Sequence, residues 1–385
     1  MKYHIANVEL SYASDFSNLH SFEVASQPRA YSVTWDDTAN PCSTINQLLA
    51  ENKNNILLID EKVLALYGES IEHDVTRILA VPATENFKTL DGAVQVFDFL
   101  YQNNFTKSDR LIVVGGGIIQ DVAAFVGATY KRGISWVYLP STLLSMSDSC
   151  IGGKAGMNYK EAKNQLALFS SPHAVIINPA FLKTLAKRDL QSGLGEILKL
   201  FLTAGEPMMV RYTQCIHHGE MRSWNDAKTL IFGALCIKKA VIEKDEFENN
   251  IRKALNYGHT LGHALESMSQ YQIPHGIAVV LGMLLVNELS FQQGFLTLHD
   301  HQKVSQLCLD LLDETLLALI KTLDMRDVIR YLKQDKKVTG TDITFVMLRA
   351  LGHLDFVRLK MDDVLVLQIT QAFDDLFVSC CEQLQ

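Results

Sequence analysis

The stretch that decides the fold is Arg110-Leu-Ile-Val-Val-Gly-Gly-Gly-Ile-Ile-Gln-Asp121. Its first half is a short apolar run, typical of a buried parallel strand, and its second half continues as a helix through Ala128. Glycines at the join permit close backbone approach, and a helix N-terminus offers N–H groups and a positive dipole end to a pyrophosphate. Because the glycines do not match GxGxxG, a tight structural turn explains them equally well.

Similar apolar runs lie on both sides of this stretch. Residues 31–35 alternate like a strand, 55–60 and 77–82 are short apolar runs, and 135–140 is the next strand. Residues 91–103 have helical apolar spacing. This alternation of strands and helices predicts an α/β domain with a largely parallel sheet over 31–178, which we interpret as nucleotide-binding. Residues 1–30 are polar and mixed, and we interpret them as an N-terminal appendage.

The chain from 179 to 385 has a helical pattern instead. Apolar residues recur at helical spacing over 182–202, 208–218, 227–246, 255–269, 275–292, 299–312 and 325–334. A short hairpin is expected around 344–348 and 354–358. The sequence therefore predicts a second, all-helical domain over 179–385, with the boundary near 170–182.

A group of polar residues stands at the head of one predicted helical hairpin. His259 and His263 are four residues apart, so a helix places them on one face. Arg252 and Asn256 would lie near that face on a continued helix, and His275 begins the next helix. This set suits a metal ion or an anionic substrate. Paired histidines also occur by chance in cores and on surfaces, and catalytic zinc typically takes three protein ligands.

Two further regions combine polar groups. Residues 141–164 follow a strand end, where α/β domains bind ligands, and they include Asp148, Lys154 and Asn164. A solvated loop with incidental lysines is the alternative interpretation. Glu196 and Lys199 lie three apart on one helix face, and by themselves they predict an exposed ion pair.

Composition limits the class of protein. The 385 residues are 48% hydrophobic and 20% charged, as in an ordinary globular protein with two domains. The net charge of −8 makes nucleic acid an unlikely partner. The seven cysteines form no CxxC pair, which favours reduced thiols in the cytosol. The N-terminus lacks a signal-peptide core, and the longest apolar run, 277–286, is too short to span a membrane. We therefore expect a soluble cytoplasmic protein.

Taken together, the motifs resemble 3-dehydroquinate synthase in order and in spacing. They are Gly115-Gly-Gly-Ile-Ile-Gln-Asp121, Lys131-Arg-Gly133, Leu139-Pro-Ser-Thr-Leu143, Asp148-Ser-Cys-Ile-Gly-Gly-Lys154, Lys163-Asn164, Gly195-Glu-Ile-Leu-Lys199, Leu255-Asn-Tyr-Gly-His-Thr-Leu-Gly-His263 and His275-Gly276. The resemblance covers about residues 30 to 360, and the combined set is highly specific to the sugar phosphate cyclases.

The resemblance implies NAD, one divalent metal ion (Zn or Co), an anionic sugar phosphate substrate and a homodimer. It implies that the metal ligands are Glu196, His259 and His275, a recognised zinc set. It implies that the catalytic residues are Lys154, Lys199, Lys238, His263 and Asn256, with His263 contacting substrate or relaying protons. It implies that the substrate is bound by Arg132, Asp148, Lys163, Asn164, Arg252 and Lys336. It implies that the cofactor is bound by Asp60, Glu85, Lys88, Gly115, Gly116, Gly117, Asp121, Ser141, Thr142 and Thr184.

The family's reaction converts 3-deoxy-arabino-heptulosonate 7-phosphate to 3-dehydroquinate in the shikimate pathway of aromatic amino acid biosynthesis. NAD oxidises a ring hydroxyl, phosphate leaves by elimination, the hydride returns, and ring opening with aldol closure gives the carbocycle. Gln120, Ala155 and Ile277 depart from the family pattern, which usually has Gly, Thr and Glu there. A cyclase for an amino or neutral heptulose phosphate therefore remains an alternative, as does a metal-dependent NAD polyol dehydrogenase.

Overall fold

The computed structural model describes residues 1–16, 18–27, 29–160, 162–334, 338–339 and 341–383. The chain divides into two compact units. Unit 1 comprises Met1–Phe16 and Lys187–Gln385, and unit 2 comprises Ser17–Ala186. Residues 1–30, interpreted above as an appendage, are thus divided between the two units.

The strands of the described residues fall into two larger sheets and two short hairpins. They are β1 (Lys2–Ile5), β2 (Val8–Ser11), β3 (Ser21–Val24), β4 (Tyr31–Trp35), β5 (Ile56–Asp60), β6 (Ile78–Val81), β7 (Arg110–Gly115), β8 (Ser135–Pro140), β9 (Lys154–Tyr159), β10 (Ala162–Phe169), β11 (Ala174–Ile177), β12 (Ile216–His217), β13 (Glu220–Met221), β14 (Val338–Thr339), β15 (Asp342–Ala350) and β16 (His353–Lys360).

The α-helices are concentrated in unit 1. They are α1 (Cys42–Ala50), α2 (Glu61–Tyr67), α3 (Leu90–Gln102), α4 (Gly117–Thr129), α5 (Lys187–Ala204), α6 (Glu206–Cys215), α7 (Ala227–Ile242), α8 (His259–Met268), α9 (His275–Gln292), α10 (Leu298–Leu309), α11 (Glu314–Ile320), α12 (Met325–Gln334) and α13 (Asp363–Gln383). Single turns of 3-10 helix at Ile251–Asn256 and of π-helix at Ser145–Ser149 also bear on the site.

Unit 2 is built on a seven-stranded sheet of order β3-β4-β11-β8-β7-β5-β6. Every pairing is parallel except β3 with β4. The central strands are buried on both faces, which explains their continuous apolar runs. The strand that follows β5 in the chain, β6, lies on one side of β5, and the next strand, β7, lies on its other side. The direction in which successive strands are added to the sheet therefore reverses between β5 and β7. Ligands of such sheets bind at the carboxyl ends of the strands at this point.

The polar region 141–164 is more ordered than a solvated loop. It holds the π-helical turn Ser145–Ser149 and most of the antiparallel β9–β10 hairpin, and β9 packs on α4. An isolated parallel bridge between Thr89 and Asn158 ties this hairpin to the start of α3.

Unit 1 combines nine of the described helices with a five-stranded sheet, so the expectation of an all-helical domain needs correction. The sheet order is β14-β15-β16-β1-β2. The expected hairpin is the antiparallel pair β15–β16, and the N-terminal strand β1 pairs in parallel with β16. Tyr3 of β1 donates a hydrogen bond to the carbonyl of Ile237 on α7 (2.8 Å). The N-terminus is thus an integral part of this unit.

The centre of unit 1 is α9, which contacts α5, α8, α10, α13 and β15. Among the described helices it alone has the length and hydropathy of a membrane span, and 78% of it is buried inside the protein. Burial on all sides is the behaviour of a central core helix. The longest apolar run of the sequence, 277–286, lies within this element.

Glycines allow α5, α8 and α9 to cross closely. A Cβ atom on Gly276 would lie 1.8 Å from the Ser192 carbonyl oxygen, and one on Gly195 would lie 2.4 Å from the Gly276 oxygen. These contacts leave no room for a side chain. Gly195 precedes Glu196 and Gly276 follows His275, so the crossing point is also where the polar groups meet.

The helix containing His259 does not continue back to Arg252, contrary to the expectation above. A 3-10 helix covers Ile251–Asn256, and α8 begins at His259 after a break. Gly258 has φ +78° at this break, and a Cβ there would lie 2.6 Å from the Val279 carbonyl oxygen. The left-handed backbone and the close approach both require glycine.

Candidate metal centre and cofactor cradle

Three residues from different helices of unit 1 direct donor atoms at one point. Oε1 of Glu196 (α5) lies 3.2 Å from Nε2 of His275 (first residue of α9) and 3.5 Å from Nε2 of His259 (first residue of α8). Glu196 is fully buried and His259 is 8% exposed. The resemblance-derived ligand set is therefore assembled in space from positions 16 to 79 residues apart.

These separations fit a tetrahedral metal ion. Bonds of about 2.0–2.2 Å to nitrogen and oxygen, at tetrahedral angles, put ligand atoms about 3.3–3.5 Å apart. The two measured separations agree with that edge length. In addition, neither Glu196 oxygen accepts a hydrogen bond of good geometry from the described residues. A buried carboxylate in that condition is suited to a cation.

The ion pair between Glu196 and Lys199 is buried, so the prediction of an exposed pair is wrong. Nζ of Lys199 lies 2.5 Å from Oε2 of Glu196, and Lys199 is 2% exposed. Burial favours the neutral form of the carboxyl group, but the charges of Lys199 and His275 outweigh it and hold the pKa of Glu196 well below its usual range. Because Lys199 pairs with Oε2 of Glu196, the other oxygen, Oε1, faces the imidazoles of His259 and His275.

Each of the two imidazoles is oriented through its Nδ1 atom. Nδ1 of His259 lies 3.1 Å from the Tyr257 carbonyl oxygen, and Nδ1 of His275 lies 3.2 Å from Oε2 of Glu266. A carbonyl or ionised carboxylate only accepts hydrogen bonds, so both Nδ1 atoms carry the proton. The Nε2 atoms then face Glu196 and are the atoms available to a metal ion, in the arrangement common among metal-binding histidines.

The two imidazoles differ in charge when no metal is bound. Burial, reinforced by the Lys199 charge, holds the pKa of His259 well below its usual value, so its ring is neutral. Burial acts in the same direction on His275, but Glu196 and Glu266 outweigh it and raise the pKa of His275 to about 10. Metal binding at its Nε2 would displace a proton.

His263 lies one helical turn after His259. Ligand atoms of His259, His263 and His275 all lie within 4.8 Å of one another, so a three-histidine set is geometrically available. The His263 ring centroid lies 5.2 Å from that of His259 and 5.6 Å from that of His275. The short contacts to Glu196 described above favour Glu196, His259 and His275 as the ligand set, with His263 beside it.

Other predicted polar residues of unit 1 are largely buried. Lys238 on α7 is 8% exposed and Arg252 is 2% exposed. The Arg252 guanidinium donates to the Glu246 carbonyl oxygen, and its backbone N–H donates to Asp245 (3.0 Å). Asn256 donates to Oε1 of Glu248 (3.1 Å). A guanidinium held in this buried position suits an anionic ligand, because its fork of N–H groups can bind a carboxylate bidentately.

In unit 2 the predicted cofactor residues meet at the carboxyl edge of the sheet. Gly115 ends β7, and its carbonyl accepts the N–H of Ser141, which follows β8 (2.9 Å). The position of a Cβ on Gly116 would be 3.1 Å from the Thr142 side chain. Gly117 begins α4, whose N-cap has no side-chain hydrogen bond. Backbone groups therefore form this cradle, as a pyrophosphate requires.

Asp60 and Thr184, two further predicted cofactor residues, make hydrogen bonds within unit 2. Asp60 ends β5 beside β7, is buried, and caps α2 by accepting the Lys62 N–H (2.9 Å). The Thr184 hydroxyl lies 2.9 Å from the Tyr67 hydroxyl and is exposed. Asp60 is at the change of strand direction, where a ribose-binding acid is expected.

A hydrogen-bonded network joins predicted cofactor and substrate residues of unit 2. Nζ of buried Lys88 lies 3.0 Å from Asp121 and 2.8 Å from Oδ1 of Asn164. Glu85 pairs with Lys163 (3.1 Å) and more distantly with Lys88 (3.9 Å). Burial, only partly offset by Lys88, raises the pKa of Asp121 to about 6. The structure thus brings together five predicted residues that are up to 79 positions apart in sequence, Glu85, Lys88, Asp121, Lys163 and Asn164.

The remaining predicted residues of unit 2 are more accessible. Arg132 and Lys154 are exposed, and Asp148 is half-buried on the π-helical turn. Lys154 begins β9, whereas Arg132 ends the 3-10 turn that follows α4. Lys336, the last predicted substrate residue, lies outside the described residues.

The three departures from the family pattern are all buried. Gln120 exchanges two hydrogen bonds of 2.7 Å with Ser149, one to its carbonyl and one from its hydroxyl. Ala155 lies on β9 opposite Leu168, and Ile277 lies in the core after His275. None of them places a charge in the described site.

Sequence reasoning missed Glu266, the partner of His275. Its position was available from the pattern, because 259, 263 and 266 share one helical face at spacings of four and three. The residues that hold Arg252 and Asn256, namely Asp245, Glu246 and Glu248, were missed as well. Asp245 and Glu246 fall at the end of the helix predicted over 227–246, but the helix ends at Ile242, and all three residues lie in the irregular segment that follows it.

Comparisons of the sequence with known proteins identify its family. The family description 3-dehydroquinate synthase N-terminal matches residues 78–192, and 3-dehydroquinate synthase C-terminal matches 193–338. A 3-dehydroquinate synthase from Streptococcus equi subsp. equi is 33% identical over 90% of this chain and 96% of its own length. One from Rippkaea orientalis is 36% identical over 78% of this chain and 84% of its own length.

Solved structures share the fold. A 2-deoxy-scyllo-inosose synthase has a TM-score of 0.77 at 18% identity, covering 91% of this chain and 99% of its own. A 2-epi-5-epi-valiolone synthase from Streptomyces hygroscopicus subsp. jinggangensis, solved with NAD⁺ and Zn²⁺, has a TM-score of 0.71 at 24% identity, with coverage of 91% and 98%. These likenesses confirm the predicted fold class.

Proposed function

The chain belongs to the 3-dehydroquinate synthase family and is a lyase of that type, and from this premise we propose its substrate and cofactors. The substrate is 3-deoxy-arabino-heptulosonate 7-phosphate, converted to 3-dehydroquinate with loss of phosphate in the shikimate pathway. NAD and one divalent metal ion, zinc or cobalt, are required. The observation that carries the proposal is the centre formed by buried Glu196, buried His259 and partly exposed His275, in the same unit as the buried cations Lys238 and Arg252.

Glu196, His259 and His275 would hold the metal through Oε1 and the two Nε2 atoms. When bound, the metal supplies Lewis acidity and NAD supplies reversible hydride transfer. Lys199 holds the other Glu196 oxygen and keeps the carboxylate in one orientation. Because the site is buried, its fixed charges act in a medium of low dielectric and their interactions are strong.

The substrate carries a carboxylate and a phosphate, and the chain offers cations for both. Arg252 suits the carboxylate, because a buried guanidinium forms a bidentate pair with it. Lysines suit a phosphate as point charges. The anion-binding and polar set that we assign to the substrate is Arg132, Asp148, Lys154, Lys163, Asn164, Lys238, Arg252, Asn256 and Lys336.

His263 is the proposed proton-transfer residue. It stands one turn from His259 and is half-buried, so it is accessible to a substrate. An imidazole can accept a proton from a hydroxyl group and return it to a leaving group. Lys199 and Asn256 would orient the reacting hydroxyl groups.

NAD is assigned to the carboxyl edge of the unit 2 sheet. The pyrophosphate would lie against Gly115, Gly116 and Gly117 at the start of α4, where N–H groups point outward. Asp60 would accept a ribose hydroxyl. The other proposed cofactor residues are Glu85, Lys88, Asp121, Ser141, Thr142 and Thr184.

We assign the protein to the cytoplasm as a homodimer, without nucleic acid or membrane partners. Buried reduced cysteines and the acidic net charge support this assignment. A cyclase of neutral heptulose phosphates is less well supported, because the bidentate fork of Arg252 has a clear purpose only with a carboxylate substrate.

Phosphate release is the deciding test. Purified protein with 3-deoxy-arabino-heptulosonate 7-phosphate, NAD⁺ and Co²⁺ or Zn²⁺ should release phosphate without net NADH. Absence of phosphate would contradict the assigned substrate, and steady NADH production would indicate a dehydrogenase instead. Arg252→Gln should raise KM for the acid substrate far more than for a neutral heptulose phosphate.

A further inference from the structure

Glu266 has a position that none of the assigned roles explains. We propose that Glu266 is a positioning residue that fixes the His275 imidazole for metal binding, so that metal affinity depends on it. The proposal rests on the metal centre proposed above and adds a residue that neither binds the metal nor touches the substrate.

The geometry places the His275 ring between two carboxylates. Oε2 of Glu266 lies 3.2 Å from Nδ1, and Oε1 of Glu196 lies 3.2 Å from Nε2 on the opposite side of the ring. Glu266 stands on α8 two turns after His259, so the helix that carries one ligand also orients another. The carboxylate fixes both the tautomer and the rotation of the ring.

His275 needs this support more than His259 does. The His259 side chain is 11% exposed, and its Nδ1 is held by a backbone carbonyl two residues earlier. The His275 side chain is 34% exposed and belongs to the first residue of α9, where the preceding Pro274 provides no side-chain cap. A partly exposed side chain can occupy several rotamers. When metal binding selects one of them, the conformational entropy that is lost weakens the metal affinity.

Charge balance also favours Glu266. Lys199 brings a positive charge to within 2.5 Å of the Glu196 carboxylate, which offsets the negative charge that this ligand offers to a cation. Glu266, whose side chain is only 15% exposed, restores one negative charge next to the ligand set. A divalent cation with Glu196 and Lys199 has a net charge of about +2, and Glu266 lowers it to about +1.

A matched control exists in the same unit. Glu288 on α9 lies 3.1 Å from Nε2 of His301 on α10, and its side chain is 25% exposed. This is also a helix-to-helix pair of glutamate with histidine, without a third ligand nearby among the described residues. Loss of a helix-linking ion pair alone should therefore have the same effect at both positions.

The experiment compares Glu266→Ala, Glu266→Gln and Glu288→Gln in the full chain. Metal-stripped protein is titrated with Zn²⁺ against a chromophoric chelator, and Co²⁺ is added for its visible spectrum, without NAD or substrate. Glu266→Ala should weaken Zn²⁺ binding by about 10- to 100-fold and alter the Co²⁺ spectrum. Glu266→Gln keeps an acceptor oxygen and should recover part of the loss, while Glu288→Gln should match wild type.

Equal Zn²⁺ affinity of Glu266→Ala and wild type would overturn the proposal, as would an equal loss in Glu288→Gln. If Glu266→Ala does not fold, Glu266→Gln decides the question. Wild-type Zn²⁺ affinity and a wild-type Co²⁺ spectrum in Glu266→Gln would then contradict a role for the Glu266 charge. A wild-type protein that binds Zn²⁺ but releases no phosphate would refute only the assigned substrate. A wild-type protein that binds no divalent metal would refute the metal centre and this inference together.

Discussion

The two units of the protein build their predicted sites from different materials. In unit 2 the cradle consists mainly of backbone, at a strand end, three glycines and a helix N-terminus that are consecutive in sequence. In unit 1 the centre consists of side chains from α5, α8 and α9 that are far apart in sequence, and Glu196 at its middle is almost fully buried.

This difference explains why the two sites should respond differently to mutation. A backbone cradle tolerates changes of side chain unless a new atom overlaps with it, because its N–H groups persist. A buried cluster of charges depends on every member, because removal of one leaves another buried and unpaired. The predictions below test that contrast.

The largest effect is expected from Glu196→Gln. It removes the metal-binding charge and leaves Lys199 buried without its counter-ion, so the metal should be lost and stability should fall by about 3 kcal/mol. Metal content by mass spectrometry and urea unfolding measure the two effects. Glu206→Gln, which breaks an exposed pair with Lys303, is the control and should change neither. Retention of bound metal in Glu196→Gln would exclude Glu196 as a ligand.

The next effect separates the histidines of the cluster. His259→Ala and His275→Ala should lose the metal, whereas His263→Ala should keep it and lose turnover by roughly 100- to 10,000-fold, the range for general acid–base catalysis. Zn²⁺ content and single-turnover phosphate release distinguish the two outcomes. Exposed His217 provides the control substitution. If His263→Ala loses the metal and Glu196→Gln retains it, the three-histidine set is the correct one.

A smaller effect is expected in the cradle of unit 2. A Cβ on Gly115 would lie 2.6 Å from Cγ1 of Ile119, so Gly115→Ala should cost about 1–3 kcal/mol of stability through overpacking. A Cβ on Gly117 would lie 3.6 Å from Oγ of Ser149, an ordinary contact, so Gly117→Ala should fold normally. Weaker NAD⁺ binding by Gly117→Ala, measured by calorimetry, supports a pyrophosphate cradle, and unchanged binding favours a purely structural turn.

The smallest effect concerns acid stability of unit 2 away from its site. Burial, together with the charges of Arg29 and Arg110, lowers the pKa of His173 to about 4. The unfolded chain therefore binds more protons between pH 6.5 and 4, and stability falls as pH drops through this window. His173→Gln should flatten that slope in urea unfolding, by about 1 kcal/mol or less because the ring is partly exposed. An unchanged slope would exclude His173, and NAD⁺ affinity at pH 7 should stay as in wild type.

Much of the architecture was predictable because it depends on local pattern. The helix predicted at 275–292 matches α9, and the run at 110–121 forms β7 and the start of α4 as expected. The helix α13 was missed, and so was the sheet that includes β1 and β2, because strand pairing over more than 300 residues has no local signature. The break at Gly258 was missed because a helical apolar pattern continued through it.

The candidate metal centre of unit 1 was predictable only in part from the residues themselves. The motif resemblance indicated Glu196, His259 and His275, yet the residues alone suggested His259 and His263 as the metal pair. His259 and His263 share a helix face, which sequence spacing reveals. Oε1 of Glu196 lies close to the imidazoles of His259 and His275 only because the helices cross at Gly195 and Gly276. Glu266 shares the helix face of His259 and His263, but its contact with His275 depends on the packing of α8 against α9.

The sequence by itself determined many of the local elements of this protein: apolar periodicity and glycine positions specify the central strands of unit 2, the helix α9 and the turn at Gly115, since these depend on neighbours within a few residues. Only the tertiary structure decided which polar groups meet. Burial made the Glu196–Lys199 pair an internal one and placed Glu266 against His275, because desolvation and helix crossing are properties of the packed chain. The pair of histidines on one helix is a local fact, but the donor set around Glu196 is a consequence of packing.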